Sequence, residues 1–316
     1  MVTNGQTATA VRATPSGSGE PIREVRFHNP RLQSLGLDTL TVSQLRGKCP
    51  PEYFARPERL EFYQLIHFTG GKGSHQVDFR SYQIRRGTLI VAQPKQVQQF
   101  HLNPSLKGRL LLMDPVFLDA SRQNETAPSL DMTGWPAWLE LPAWLDEDVM
   151  RAFDIVARET SGYQGDALTA RFLQHIILAL LLEIQRFALE ARPGNNQHPS
   201  HLSNVMRLLK GEVETNFHRE RSVRFYARRL GYSEKTLTRA CIASQGRTAK
   251  ELIDERVALE AKRLLAHSRS SSVEIGCQLG FSEATNFVKF FKRVTRVTPS
   301  TFRSQVTAAA GAGGHC

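Results

Sequence analysis

The chain has 316 residues, room for two domains, and with 41% hydrophobic residues its composition excludes a protein disordered throughout. Its net charge of +11 is uneven: residues 201–316 hold 20 Lys and Arg against 10 Asp and Glu, leaving +1 for residues 1–200. A basic excess confined to one segment is the footprint of a phosphate-binding surface, and Cys49, Cys241, Cys277 and Cys316, without CxxC spacing, imply neither a zinc site nor a disulfide framework.

In chain order, residues 1–21 are rich in Thr, Ala, Ser and Gly and are expected to be flexible. Met1-Val-Thr-Asn4 lacks the basic start and long apolar run of a secretory signal. The longest apolar run, residues 176–182, is too short to span a bilayer, so a cytoplasmic protein is expected. Short β-prone segments follow at residues 60–68, 75–79, 82–84, 88–92, 97–102 and 110–113, with Gly70-Gly-Lys-Gly73 as a turn. Strands at this spacing predict a small antiparallel barrel or sandwich within residues 22–145. Residues 147–191 turn helical, and Phe172, Ile176, Leu180, Ile184 and Phe187 give residues 167–189 an apolar side that must be buried. It packs on the barrel or on a second copy, which makes 146–192 a candidate dimerisation segment. Arg192-Pro-Gly-Asn-Asn-Gln-His-Pro-Ser200 reads as a linker, placed at 193–201.

The remaining hundred residues carry one pattern twice. Residues 222–239 and 272–289 each contain an amphipathic run ending in Leu-Gly, then an aromatic, then Ser-Glu. Gly231 and Gly280 suit the left-handed end of a helix. Ser233 and Ser282 are placed to cap the next helix, with Glu234 and Glu283 at its positive end. Ala227 and Gly276 are small enough for helices to cross closely. Val223, Leu230 and Leu237 form the expected core of the first unit; Val273, Ile275, Leu279, Phe281, Phe287 and Phe291 form that of the second. This is the grammar of a helix-turn-helix, whose second helix enters the DNA major groove. Taken alone, one unit reads equally well as an ordinary helical hairpin. Between the units, residues 248–267 form a long amphipathic helix with Leu252, Val257, Ala261, Leu264 and Leu265 on its apolar side. Twenty helical residues span roughly 30 Å, close to the ~34 Å between successive major-groove faces.

These residues resemble the AraC/XylS family of bacterial transcription regulators over about residues 203–303. The resemblance rests on Glu274-Ile275, Leu279-Gly280-Phe281, Phe287, Phe291-Lys292, Thr298-Pro299 and Phe302-Arg303, with Leu237-Thr-Arg239, Gly246, Arg256, Ala261 and Leu264-Leu265 in the first half. Cys241 stands where the family has an aromatic, implying a less filled core, and Arg296 where it has a turn Gly, implying an added phosphate contact. Carried over, the family's base-facing side chains fall on Lys235, Thr238 and Arg239 in the first unit and on Ala284, Thr285 and Lys289 in the second. Arg239 suits a bidentate contact to guanine, though it also suits a phosphate or its own helix end. Arg228, Lys292, Arg293 and Arg296 are the candidate phosphate contacts. The second unit therefore reads as grip more than choice.

The strand region looks like the cupin-type sensor domain often joined to this module, on Gly73-Ser-His75, Val77-Asp-Phe79, Gly87 and Pro94-Lys-Gln96-Val. The paired His-x-His of metal-dependent cupins is missing. His67, His75 and His101, with Glu61, remain as scattered histidines more often satisfied than ligating, so no metal and no cofactor is expected. An effector pocket at Phe62, His67, His75, Phe79 and His101 is the alternative, although aromatics on strands usually fill the core. The expected architecture is two-domain: an antiparallel, cupin-like β-barrel with helices, then an all-α domain at 202–304 with two helix-turn-helix units joined by a long helix, and a flexible tail at 305–316. The resemblance implies a regulator, more often an activator than a repressor, that is not an enzyme. Its expected partners are promoter DNA, a small-molecule effector, a second copy of itself and RNA polymerase. A cupin-like metalloenzyme with a DNA-binding tail and a nonspecific architectural DNA binder are the rival readings.

Overall fold

The computed structural model describes residues 23–54, 56–101, 103–120, 130, 132, 135–190 and 201–312, in two compact units built on Ile22–Asn195 and Asn196–Cys316. The segment 1–21 expected to be flexible, nearly all of the expected linker, and Cys316 lie outside the described residues.

The first unit is a sandwich of two five-stranded sheets. One sheet takes β1 (Arg23–Val25), β3 (Glu58–Leu60), β8 (Val97–His101), β5 (Gly73–Val77) and β6 (Arg80–Ile84) in that spatial order; the other takes β10 (Trp138–Glu140), β7 (Thr88–Ala92), β4 (Tyr63–Gly70), β9 (Lys107–Met113) and β2 (Leu37–Thr41). Most neighbours are antiparallel, as expected, but β1 runs parallel to β3, with Arg23 opposite Glu58. Alternation divides β4 cleanly. Ile66 and Phe68 enter the core between the sheets with Phe62, Ile90, Phe100, Leu110 and Leu112, whereas Leu65 faces outward.

Short helices α1 (Val42–Lys48), α2 (Pro51–Phe54) and α3 (Pro115–Ala120) punctuate the strands. The outer face of the second sheet, with Leu65, Leu89, Val91, Leu111 and Met113, is covered by α4 (Ala143–Gly162) and α5 (Ala167–Glu190). Asp166 starts α5 by accepting from the Thr169 backbone N–H at 2.7 Å. The buried stripe of α5 is Leu173, Ile177, Leu180, Leu181, Ile184 and Ala188, so Leu180 and Ile184 hold their expected places but Phe172, at 42% exposure, points to solvent. The span Ala167–Leu189 holds an 18-residue window of mean hydropathy 1.6, long and apolar enough by length and composition alone to cross a membrane, although its continuous apolar run 176–182 is short. The stripe instead completes a globular core, which is where such a helix lodges when one side meets a sheet.

A polar ladder crosses the inner face of the first sheet. Arg23 Nη2 donates to Glu58 Oε2 at 2.6 Å, Gln98 Nε2 donates to Glu58 Oε1 at 2.9 Å, and His75 Nε2 meets Gln98 Oε1 at 3.2 Å. Four successive strands are thereby joined through groups that would be costly to bury unpaired. With Gln98 Oε1 as acceptor, His75 Nε2 carries the proton of a neutral ring. Burial pulls the His75 pKa down to about 3, against a weaker opposing pull from Gln98.

The second unit is all helix: α6 (His201–Asn216), α7 (Val223–Leu230), α8 (Glu234–Gln245), α9 (Ala249–His267), α10 (Ser272–Gln278), α11 (Ala284–Thr295) and α12 (Pro299–Ala312). Its core gathers Tyr226, Leu237, Ile253, Val257, Ile275, Phe287 and Phe291, all fully buried. Two expectations need correction. Val273 is 61% exposed and stays out of that core. The tail expected from 305 onward is helical to Ala312, because Pro299 opens a helix whose Phe302 packs on the domain and whose Arg303 donates to the Leu265 carbonyl at 3.1 Å.

The His75 shift sets a pH dependence. Its folded pKa lies below the unfolded value of 6.5, so the unfolded chain binds a proton that the folded one refuses, and stability falls as pH drops below about 6.5. Between pH 7 and pH 5 the loss from this residue is about 2 kcal/mol, and burial shifts His67 in the same direction. Urea unfolding of the full chain should lose stability over that interval, and His75→Gln should flatten the profile.

Candidate nucleic-acid interface and interior cavity

In the second unit the chain turns twice on glycine. Gly231 has φ 71° and Gly280 φ 74°. After each, the aromatic N–H returns to a carbonyl five residues back, Tyr232 to Ala227 and Phe281 to Gly276, both at 2.9 Å. These six-to-one bonds satisfy carbonyls that the helix ends would leave bare. Ala227 and Gly276 are buried beneath, where the sequence pattern placed small residues.

The next helices do not start alike. Ser233 caps α8, its hydroxyl accepting from the Thr236 N–H at 3.0 Å. Ser282 does not cap α11; Glu283 occupies the cap position, without a side-chain cap bond. The cause is one extra residue in the second turn. Gly231 and Gly280 are 49 apart, but Leu237, Ala240 and Cys241 of α8 correspond to Phe287, Phe290 and Phe291 of α11, 50 apart. Cys241 is itself fully buried, so the narrower side chain in the first unit remains a core member.

Around these turns the basic side chains fall into two groups. Arg228, Lys235, Arg239, Lys289, Lys292 and Arg296 are exposed, and none has a hydrogen bond or ion pair among the described residues. Thr238 and Ala284 are half-buried beside them. Others are engaged. Thr285 donates to Glu283 Oε2 at 3.2 Å, Arg293 donates to the buried Asp254 at 2.9 Å, and Arg229 pairs with Glu212. The spacing missed these engagements because both partners of each pair look like ordinary surface residues in the sequence.

Helix α9 holds the two turns in one body. Its Asp254, 3% exposed, accepts from Lys250 at 2.6 Å and from Arg293 of α11. Its Arg256 donates to Glu214 of α6 at 2.8 Å and lies over the Phe217 ring at 3.8 Å. Arg221, just before α7, covers the Phe281 ring at 3.6 Å and donates to the Gly280 carbonyl at 3.0 Å, joining the start of the first unit to the turn of the second.

The expected effector residues separate in the first unit. Phe62 lines a cavity of about 40 Å³ between the sheets, with Val25, Leu40, Gln64, Phe100 and Leu112. His75 is in the polar ladder across the same interior. His67 faces the other way: it lies on the outer face of β4 and bonds Asp146 of α4 at 2.5 Å, while burial lowers its pKa. Phe79 is 37% exposed in the turn between β5 and β6, and His101 sits exposed at the end of β8, so turn and strand end remove both from the interior. Two residues that the sequence reading passed over are better placed. Glu58 anchors the ladder, and Gln64 Oε1 is buried against the cavity with no donor. Among the described residues no group of three or more His, Cys, Asp or Glu is placed to hold a metal ion.

Comparison with known proteins matches both units. Residues 44–176 match the family model of an AraC-like ligand binding domain, and residues 226–305 that of a helix-turn-helix domain. The HTH-type transcriptional activator RhaR of Salmonella dublin is 23% identical over 255 residues, covering 80% of this chain and 88% of that protein. Unsaturated-fatty-acid-bound ToxT from Vibrio cholerae aligns at TM-score 0.40 and 14% identity, covering 78% of this chain and 87% of the other.

The turns generate two stability predictions. A Cβ on Gly231 meets open space, whereas one on Gly280 falls 2.8 Å from the His218 carbonyl oxygen. Gly231→Ala should cost about 1–2 kcal/mol, the left-handed penalty alone, and Gly280→Ala distinctly more. Equal losses in thermal unfolding would contradict this packing. Arg296 ends α11 at φ 69°, so Arg296→Gly should raise stability by about 1 kcal/mol.

Proposed function

The chain belongs to the AraC family of transcription regulators, and from that premise we propose that it activates transcription by reading promoter DNA with α8 and α11 under control of a small-molecule effector. The observation that carries this reading is the sorting of its cations. Arg228, Lys235, Arg239, Lys289, Lys292 and Arg296 stand unpaired at the surface among the described residues, while Arg229, Arg293, Arg256 and Arg263 hold the scaffold together. Lys235, Thr238 and Arg239 supply hydrogen bonds to bases; Arg228, Lys292 and Arg296 supply phosphate contacts. Activation is favoured over repression by the relatives named as transcriptional activators.

The effector site we propose is the interior between the sheets, where Gln64 Oε1 lacks a donor. At about 40 Å³ that cavity is close to the share of a single water, so an effector enters by displacing the α1–α2 wall that contributes Leu45 and Tyr53. A second copy is the partner proposed for α5. Leu168 at 82%, Phe172 at 42% and Leu189 at 42% exposure leave an apolar face uncovered along that helix. Family membership supports contact with RNA polymerase, a cytoplasmic location and a regulatory rather than catalytic role.

Two measurements test these proposals. In binding assays across matched and scrambled promoter DNA, Arg239→Ala should cost about 1–3 kcal/mol on the preferred site and relax the preference. A loss shared equally by all sequences would reassign Arg239 to phosphate. In sedimentation, Phe172→Asp should convert a dimer into a folded monomer; an unchanged dimer would remove α5 from the interface.

A further inference from the structure

We infer that Asn286 is the residue through which the second helix-turn-helix unit selects a base, and that the base is adenine. The inference rests on the DNA reading proposed above and extends it to a position that the family's pattern of base-facing residues leaves out. The extra residue in the second turn is what places Asn286. Because α11 starts 50 residues after α8, Asn286 corresponds to Thr236, the third residue of its helix. In the first unit that position is committed to the cap: the Thr236 hydroxyl meets Ser233 Oγ at 2.8 Å. In the second unit Ser282 has lost the cap position, and Asn286 is released from it.

The neighbours of Asn286 are poor readers. Ala284 has no hydrogen-bonding side chain and is half-buried. The Thr285 hydroxyl is spent on Glu283, and Arg293 is spent on Asp254. Lys289 is free but presents a point charge, suited to a phosphate as well as a base. Asn286 is exposed on the flank of the helix, one turn before Phe290 and beside the exposed Lys289, and its side chain makes no hydrogen bond among the described residues. It stands in the first turn of the helix, the part that meets base edges when such a helix enters the major groove. A carboxamide offers one donor and one acceptor side by side. Adenine presents the complementary pair, the N7 acceptor and the N6 amino donor, at its major-groove edge.

The test uses the full chain. A site selected from random DNA by the wild type should carry an adenine in the part contacted by the second unit. Replacing that adenine by 7-deazaadenine, which lacks the N7 acceptor, should weaken wild-type binding, and Asn286→Ala should bind the two DNAs alike. Asn286→Ala should also lower discrimination against other bases at that position by about 5- to 150-fold, the range of one bidentate contact. Asn286→Ala losing affinity equally on every sequence, or the wild type ignoring 7-deazaadenine substitution, would overturn the assignment. A wild type with no sequence preference at all would instead sink the promoter-reading function on which it rests.

Discussion

Two helix-turn-helix units keep a fixed separation and tilt only if the element between them is held, and here that constraint falls on α9. The helix is 19 residues long, about 28 Å, and it contributes Ile253, Val257, Ala261 and Leu265 to the core shared by both turns. Its polar side is equally occupied. Asp254 takes Arg293 from the second reading helix, and Arg256 takes Glu214 from the first helix of the domain. A nearly buried carboxylate with two cationic partners is costly to strip of either, so this joint resists rotation of one unit against the other.

A comparable division governs the sandwich. Its interior is largely apolar and carries a polar ladder that runs from Arg23 to His75. Arg23 and Glu58 pair their charges within it, and the uncharged Gln64 across the interior is among the buried groups left without a partner among the described residues. On the opposite face of the second sheet, His67 reaches Asp146 at the start of α4. The carboxylate is well placed at a helix N-terminus, and its bond to the strand ties helix to sheet. Interior and helix-covered face thus each carry a histidine, with different partners and different consequences.

Much of the candidate site was legible in the chain. Leu-Gly-aromatic-Ser-Glu, repeated, gave both turns because the left-handed glycine and the small residue before it are local requirements. What misled was treating the repeat as exact. The serine that caps α8 has a counterpart in Ser282, but the second turn is one residue longer, so α11 starts one residue later and Glu283 takes the cap position. That shift moves every position of α11 by one against α8. Histidines on strands were harder still: period-two alternation assigns faces only once strand bounds are known, and a difference of one residue sends His67 outward rather than inward.

The sequence by itself determined the two-part organisation, the sandwich of short strands, the paired helix-turn-helix units and the basic character of the second part. All of these are carried by local periodicity, turn chemistry and charge count, which need no knowledge of distant contacts. Only the tertiary structure decided which polar groups are spent and which are available. Arg293 and Arg239 look alike in the chain, yet one meets Asp254, 39 residues away, and the other has no hydrogen bond or ion pair among the described residues. Pairings at that separation depend on how helices pack, and packing is a property of the whole core rather than of any one segment.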